Sequence, residues 1–319
     1  MRMTNFGQEL ISIIVPAYNS EQFIGESLNS ISNQTYHNWE CIIVDDQSTD
    51  STFEIALKYV ETDNRFTVLK RPNSKIKGAN SCRNFGFEKS KGAYIKWFDS
   101  DDIMLKNHLE VVVRELSNNN LDFVVTESEM FGDDIDSGEK PYNYDSSIEL
   151  NAENVALNRT GWITNDLTIK RTSLGQLRFN GSLKAGQEYN LNVRLLNAGL
   201  KGKMMNKVLS KYRQHVGTVS YNRHTNDEIY LSLLIDIKYL TAVDLFKETN
   251  HCLVNWFLKG YMRLTFDLAR KRKVHNTIIK SLPLIVRTFG IFKTSVFILG
   301  VASGFFLNRG YNFVKYARQ

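Results

Sequence analysis

Residues 94–102 read Tyr94-Ile95-Lys96-Trp97-Phe98-Asp99-Ser100-Asp101-Asp102, a short apolar run ending in three carboxylates within four positions. Runs of this length, rich in β-branched and aromatic residues, predict a buried strand, and the acidic cluster marks its carboxyl end. Carboxylates this close repel one another, so a positive group is expected among them. A hard divalent cation holding a phosphate meets that need. Mg²⁺ and Mn²⁺ take oxygen ligands and commonly combine one or two carboxylates with substrate phosphates. A solvated acidic turn capping the next helix fits the same letters, and the motif alone does not separate the two.

Working outward toward the amino terminus, residues 11–15 form an apolar, β-prone run interrupted only by Ser12 and followed by Pro16-Ala17-Tyr18-Asn19. Proline cannot donate to a ladder, so the strand is expected to end there and a loop to begin. Phe23, Ile24, Leu28 and Ile31 then fall at helical spacing. Residues 39–44 give a second buried strand, closed by Asp45-Asp46-Gln47-Ser48-Thr49-Asp50, where Ser48 and Asp50 are candidate caps for the following helix. A third strand over residues 66–69 leads to a turn-rich segment with Pro72, Asn73 and Gly78, and then to a helix containing Ala79, Arg83, Asn84 and Glu88. Strand and helix therefore alternate through the first hundred residues, which predicts an α/β fold with a mostly parallel sheet flanked by helices. Ligands of such sheets bind beyond the carboxyl ends of the strands. Three of the four strand ends carry unusual polar groups: residues 16–19, Asp45-Asp46, and residues 99–102. Neither G-x-G-x-x-G nor G-x-x-x-x-G-K-[ST] occurs, so a bound nucleotide would need a metal for much of its charge compensation.

Composition narrows the classes further. Hydrophobic residues at 42% and charged residues at 23% place the 319-residue chain among globular proteins. Its three cysteines, Cys41, Cys82 and Cys252, make no C-x-x-C pair, which argues for a reducing compartment and against a disulfide scaffold or structural zinc. No basic-then-apolar leader is expected at the amino terminus. The net charge of +6 hides an asymmetry, since residues 1–200 carry 20 Lys+Arg against 28 Asp+Glu and residues 201–319 carry 20 against 6. A basic carboxy-terminal third predicts an anionic partner. No zinc-finger or RNA-binding signature accompanies it, so a membrane surface is favoured over nucleic acid.

The ordered set Ile13-Ile14-Val15-Pro16-Ala17-Tyr18-Asn19, Ile43-Val44-Asp45-Asp46-Gln47-Ser48-Thr49-Asp50-Ser51-Thr52, Arg83-Asn84-Phe85-Gly86 and Asp99-Ser100-Asp101-Asp102 resembles the family 2 glycosyltransferases, which have the GT-A nucleotide-sugar-binding (Rossmann-like) fold. The match continues more weakly through residues 186–194, then Tyr212-Arg213-Gln214-His215 and Ser220. The resemblance implies that Pro16, Ala17 and Tyr18 line the nucleobase pocket and that Asp46 accepts from the base. Asp99 and Ser100 would serve the ribose or diphosphate, and Arg83 would shape the nucleotide pocket. Asp101 would hold the Mn²⁺ or Mg²⁺ that bridges the diphosphate, with His215 as an additional metal or diphosphate contact. Asp102 is expected to cap the next helix. Members of the family commonly place a Glu-Asp pair where this chain has Gln187-Glu188. Alignment on Tyr189 and Arg194 makes Glu188 the catalytic base, one methylene longer than usual, with the paired carboxylate replaced by an amide.

The implied activity is inverting, metal-dependent transfer of a hexosyl or N-acetylhexosaminyl group from a UDP-sugar to a glycan or lipid-linked acceptor in surface polysaccharide synthesis. Nucleotidyltransferases and non-catalytic nucleotide-sugar-binding subunits remain as rivals. The first should carry a glycine-rich phosphate loop; the second is left open by the Gln187-Glu188 departure. Trp162 and Asp166 are set aside as acceptor-site candidates, because a buried Trp is the commoner case. Two domains are expected: residues 1–225 as the nucleotide-sugar-binding and catalytic domain, and residues 226–319 as a helical extension. In that extension Leu253, Trp256, Phe257, Tyr261, Leu264 and Leu268 share a helix face closed by Arg270-Lys271-Arg272-Lys273, a basic amphipathic pattern suited to packing on a domain or lying on anionic lipid. The apolar stretch 295–307 is shorter than the roughly 20 residues a spanning helix needs. These features predict a cytoplasmic protein, peripheral at the inner face of the cell membrane, with oligomerisation through the carboxy-terminal helices as an alternative use of them.

Overall fold

The computed structural model describes residues 9–118, 120–132, 135, 138–215, 227–248 and 251–319. Ser220 and the boundary expected at residue 225 lie outside them. The chain divides into two compact units, residues 1–181 with 191–215, and residues 182–190 with 216–319.

In the first unit the alternation read from the sequence appears as β1 (Ile11–Ala17), α1 (Ile24–Ser32), β2 (Trp39–Asp45), α2 (Thr52–Thr62), β3 (Phe66–Lys70), α3 (Ala79–Lys89) and β4 (Tyr94–Trp97). There follow β5 (Ile103–Met104), α4 (His108–Asn118), β6 (Phe123–Gly132), α5 (Ala152–Ala156), a 3-10 turn at Thr164–Asp166, β7 (Leu167–Lys170), α6 (Arg171–Leu174), α7 (Gln187–Asn197) and β8 (Gly202–Gln214). The eight strands form one sheet in the order β3-β2-β1-β4-β7-β6-β8-β5. β1 to β4 are mutually parallel, β6 and β8 are parallel to each other, and β7 and β5 run antiparallel to their neighbours. This is the α/β, mostly parallel sheet the sequence predicts. The chain leaves β1 for β2 and β3 on one side and returns through α3 to β4 on the other. The crevice between the carboxyl ends of β1 and β4 is therefore the topological switch point, where open α/β sheets bind ligands.

β1 corrects one expectation, since it continues through Pro16 to Ala17, in register with Val44 and Asp45. Ile14 O accepts from Phe98 N on the β4 side, and Ala17 O accepts from Asp46 N on the β2 side. Successive residues address alternate neighbours, so Pro16 faces the β4 side, where pairing has already ended at Ile14. Its missing N–H costs the ladder nothing. A second close fit sits on α3: a Cβ at Gly86 would lie 2.4 Å from Ile14 Cγ2. Only glycine lets this helix lie so near β1, and that approach sets the position of Arg83 one turn earlier.

The second unit contains residues 187–190 of α7 and the helices α8 (Asp227–Lys247), α9 (His251–Arg270), α10 (Ile278–Phe289), α11 (Ile291–Leu307) and α12 (Tyr311–Ala317). α9 packs against α8, α10, α11 and α12. Leu253, Phe257, Tyr261 and Leu268 are buried there, as are Val254, Leu258, Met262 and Phe266. Most of the amphipathic face of α9 is thus spent inside the helical unit, while Trp256 and Leu264 on the same face stay part-exposed. Among the described residues no helix is long and apolar enough to cross a membrane.

Candidate functional site

The loop after β4 is held from three sides. Asp99 Oδ1 accepts from Arg83 Nη2 at 2.5 Å, and its backbone N–H donates to Asn165 Oδ1 at 2.9 Å. Arg213, near the end of β8, donates through Nε to Asp101 O and through its backbone N to Asp102 Oδ1, both at 2.7 Å. Asn165 Nδ2 donates to the other oxygen of Asp102. Asp102 is wholly buried. It does not cap α4, which begins six residues later; it is the internal post on which Asn165 and β8 fix the loop. Burial pushes its carboxyl well up, the charges of Asp101 and Asp99 add to this, and the two hydrogen bonds work against it.

Asp99 and Asp101 keep 30% and 29% of their side chains exposed, whereas Ser100 is buried. His215 Nε2 lies 3.2 Å from Asp101 Oδ2, and its ring packs 4.6 Å from that of Phe23. The structure therefore gathers Arg83, Asp99, Ser100, Asp101 and His215 around one loop. Among the described residues no cluster of three or more His, Cys, Asp or Glu side chains could hold a metal unaided. A carboxylate and an imidazole side by side, both partly open, nevertheless suit a cation that draws its remaining ligands from phosphate oxygens and water.

On the β1–β2 side, Pro16, Ala17 and Asp46 are buried and Tyr18 is 46% exposed. Lys77 Nζ sits 4.0 Å above the Tyr18 ring. Asp46 is ion-paired with Arg71, and both side chains are almost fully buried. Arg71 also donates to Pro72 O at 2.9 Å. Sequence reasoning missed Arg71 and Lys77; Arg71 directly follows β3, the one strand end where no polar signal was read. Asp45 accepts from the backbone N–H of Gln47 and Ser48, shaping the turn. Asp50 joins loops by accepting from Thr52 N and Glu21 N.

Behind the loop, Lys96 on β4 is completely buried and donates to Asn165 O. Burial pushes its ammonium down, and the charge of Asp166 opposes this. Asp166 accepts from Ser128 Oγ and Tyr144 Oη, each at 2.6 Å, and burial raises its carboxyl. Trp162 is also fully buried, packed 5.8 Å from Phe123. Neither is available to a sugar, so both are structural. Glu188 stands in the first turn of α7, half-buried. Gly186, just before that helix, has φ +64°, and a Cβ there would meet Ile237 at 2.6 Å. A separate cleft of about 960 Å³, lined by residues 146–150 and 200–207 with Glu115, lies at the starting end of β8, away from Asp101.

The sequence profile described as "Glycosyl transferase family 2" matches residues 12–180, which include all but the first residue of the β1–β4 half and the acidic loop. The chain belongs to this family. Glycosyltransferase GlyG of Streptococcus pneumoniae is 40% identical over 117 residues, which are 37% of this chain and 38% of that protein. The UDP-Glc:alpha-D-GlcNAc-diphosphoundecaprenol beta-1,3-glucosyltransferase WfaP of Escherichia coli is 30% identical over 271 residues, covering 83% of this chain and 99% of WfaP. The family 2 chain also shares its fold with S. aureus TarS 1–349 in complex with UDP-GlcNAc (TM-score 0.62, 17% identity, 92% of each chain). Mannosyltransferase PcManGT from Pyrobaculum calidifontis, solved with GDP-Man and Mn²⁺, superposes at TM-score 0.55 and 15% identity, over 94% of this chain and 87% of that one. These likenesses identify the fold as GT-A.

Proposed function

We propose that this glycosyltransferase moves a hexosyl or N-acetylhexosaminyl group from a UDP-sugar to a hydroxyl of a lipid-linked glycan acceptor, with inversion at the anomeric carbon. The observation that carries the reading is the Asp99–Asp102 loop at the β1/β4 switch point, with Arg83 and His215 converging on it. WfaP, named for a UDP-Glc donor and a diphosphoundecaprenol-linked acceptor, supports both substrate classes.

The chemistry assigns each group a task. A departing nucleoside diphosphate gathers negative charge, and a Mn²⁺ or Mg²⁺ held by Asp101 and His215 supplies the neutralisation when bound. Arg83, fixed by Asp99, adds a permanent positive charge beside the diphosphate. Tyr18, partly exposed with Lys77 over one face of its ring, offers aromatic surface to the base, with Asp46 behind it. Glu188 takes the proton of the acceptor hydroxyl. The acceptor oxygen bonds to the anomeric carbon as the bond from that carbon to the β-phosphate oxygen breaks, and UDP leaves.

Turnover of UDP-Glc and UDP-GlcNAc with a polyprenyl-diphosphate-linked acceptor tests the proposal. Glu188→Gln should lower kcat by at least about a hundredfold while UDP affinity stays at the wild-type value. Unchanged turnover in that variant would remove Glu188 as the base.

A further inference from the structure

The last acidic residue of the chain is Asp267; residues 268–319 hold ten Lys and Arg side chains and no Asp or Glu. Within this segment α11 is apolar on both sides. Its inner face, including Phe297, Val301 and Gly304, is buried. Its outer face leaves Ile291, Phe292, Leu299 and Phe306 in solvent at 74%, 69%, 59% and 74% exposure. A helix apolar all round belongs in a core or in lipid.

The surface is continuous across elements. The Phe292 ring lies 6.3 Å from that of Tyr316 on α12, where Tyr311 and Phe313 are also about half exposed. On the other flank an open apolar groove of about 260 Å³ runs between Val274 and Ile278 on one side and Ile298, Val301 and Phe306 on the other. Contiguous exposed apolar surface of this kind marks a docking face. α11, at 17 residues, reaches only about 26 Å along its axis, short of a hydrocarbon core of about 30 Å, so it would lie along an interface and not cross it.

We propose that the outer face of α10–α12 docks onto an anionic phospholipid bilayer. The apolar stripe enters the boundary between headgroups and acyl chains, the groove takes hydrocarbon, and Tyr311 and Tyr316 sit at headgroup level. Lys280, Lys293, Arg309 and Lys315, carried on or beside the same helices, meet the lipid phosphates. Charge selects lipid over a second copy: pairing two such faces would bring two acid-free basic segments together. The inference concerns the helical unit alone and does not depend on the nucleotide site.

Flotation of the full chain with vesicles separates the outcomes. With vesicles of phosphatidylglycerol and phosphatidylcholine the wild type should float, and binding should fall at least about tenfold in phosphatidylcholine alone or at high salt. Ile298→Glu/Phe306→Glu changes two exposed positions; it should abolish flotation while far-ultraviolet circular dichroism and UDP binding stay at wild-type values. Lys293→Glu/Lys315→Glu should lower binding to the anionic vesicles specifically. Wild-type protein left at the bottom of the gradient, or floating equally with neutral vesicles, overturns the proposal. A dimer by light scattering that becomes monomeric in Ile298→Glu/Phe306→Glu, with no vesicle binding by the wild type, would overturn it in favour of an interface between copies.

Discussion

Asn165→Ala removes one buried and one part-buried hydrogen bond at the back of the acidic loop. Asn165 is fully buried; its Oδ1 accepts from Asp99 N and its Nδ2 donates to Asp102. The substitution strands one backbone N–H and deprives a buried carboxylate of one of its two donors, at about 1–3 kcal/mol for each lost partner. A total of about 3 kcal/mol, spread over a unit of this size, lowers the melting temperature by roughly 6–12 °C. The loop should also lose its aim. Asp102 would keep only Arg213 N, and the Asp99–Asp101 backbone could drift from Arg83 and His215. Groups that orient ligands in this way are worth about 10–100-fold in metal affinity or activity. Scanning calorimetry reads the first effect, and Mn²⁺ titration of UDP binding reads the second. A variant with wild-type melting and an unaltered Mn²⁺ dependence would refute the role given to Asn165, and with it the idea that Asp102 is a post and not a ligand.

Two further substitutions probe neighbouring parts of the unit. Arg71→Met leaves the buried Asp46 carboxylate unpaired, which should cost about 3–5 kcal/mol and weaken UDP binding; calorimetry showing a loss under about 1 kcal/mol would mean the pair is already solvated. His108 is fully buried, donates through Nδ1 to Leu209 O at 2.8 Å, and is held well below the usual histidine range by burial and by the charge of Lys96. Below about pH 6.5 the unfolded chain takes up a proton that the folded chain refuses, so stability should fall by up to about 1.4 kcal/mol per pH unit. His108→Asn keeps an N–H donor for Leu209, and its melting temperature should decline less between pH 7 and pH 5; parallel declines would show that His108 does not contribute.

The half of the fold that carries the site was legible because each strand from β1 to β4 is a short, mainly apolar run, with single polar residues such as Ser12, Glu40, Thr67 and Lys96, closed by a turn signal. Parallel strands buried on both faces give that pattern. Asp99 and Asp101 were readable for the same reason, since strand ends in sequence become one sheet edge in space; Arg83, inside α3, entered only through the resemblance of Arg83-Asn84-Phe85-Gly86 to the family. What could not be read depends on long-range pairing. Asn165 and Arg213 lie 66 and 111 residues from their partners Asp99 and Asp102, and no local period announces either. Asp102 looked like a cap because caps are read from the next helix, whereas its real partners come from the 3-10 turn and β8. Pro16 ended a predicted strand because its neighbour's length was unknown. In the helical unit the periodicity of α9 correctly gave an apolar face, but periodicity cannot say what covers it. The partners proved to be α8, α10, α11 and α12, leaving the exposed apolar surface to α11 and α12.

Binding of UDP-Glc and UDP-GlcNAc, followed by melting temperature with and without Mn²⁺ in wild type and Asp101→Asn, bears on the nucleotide-sugar site itself. Ligand at a hundred times its dissociation constant adds about 2.7 kcal/mol, or roughly 5–10 °C for a unit of this size. At least one UDP-sugar should reach that shift in wild type with Mn²⁺, fall short without it, and lose the Mn²⁺ increment in Asp101→Asn. If no UDP species raises the melting temperature under either condition, the reading of the acidic loop as the donor diphosphate site is wrong.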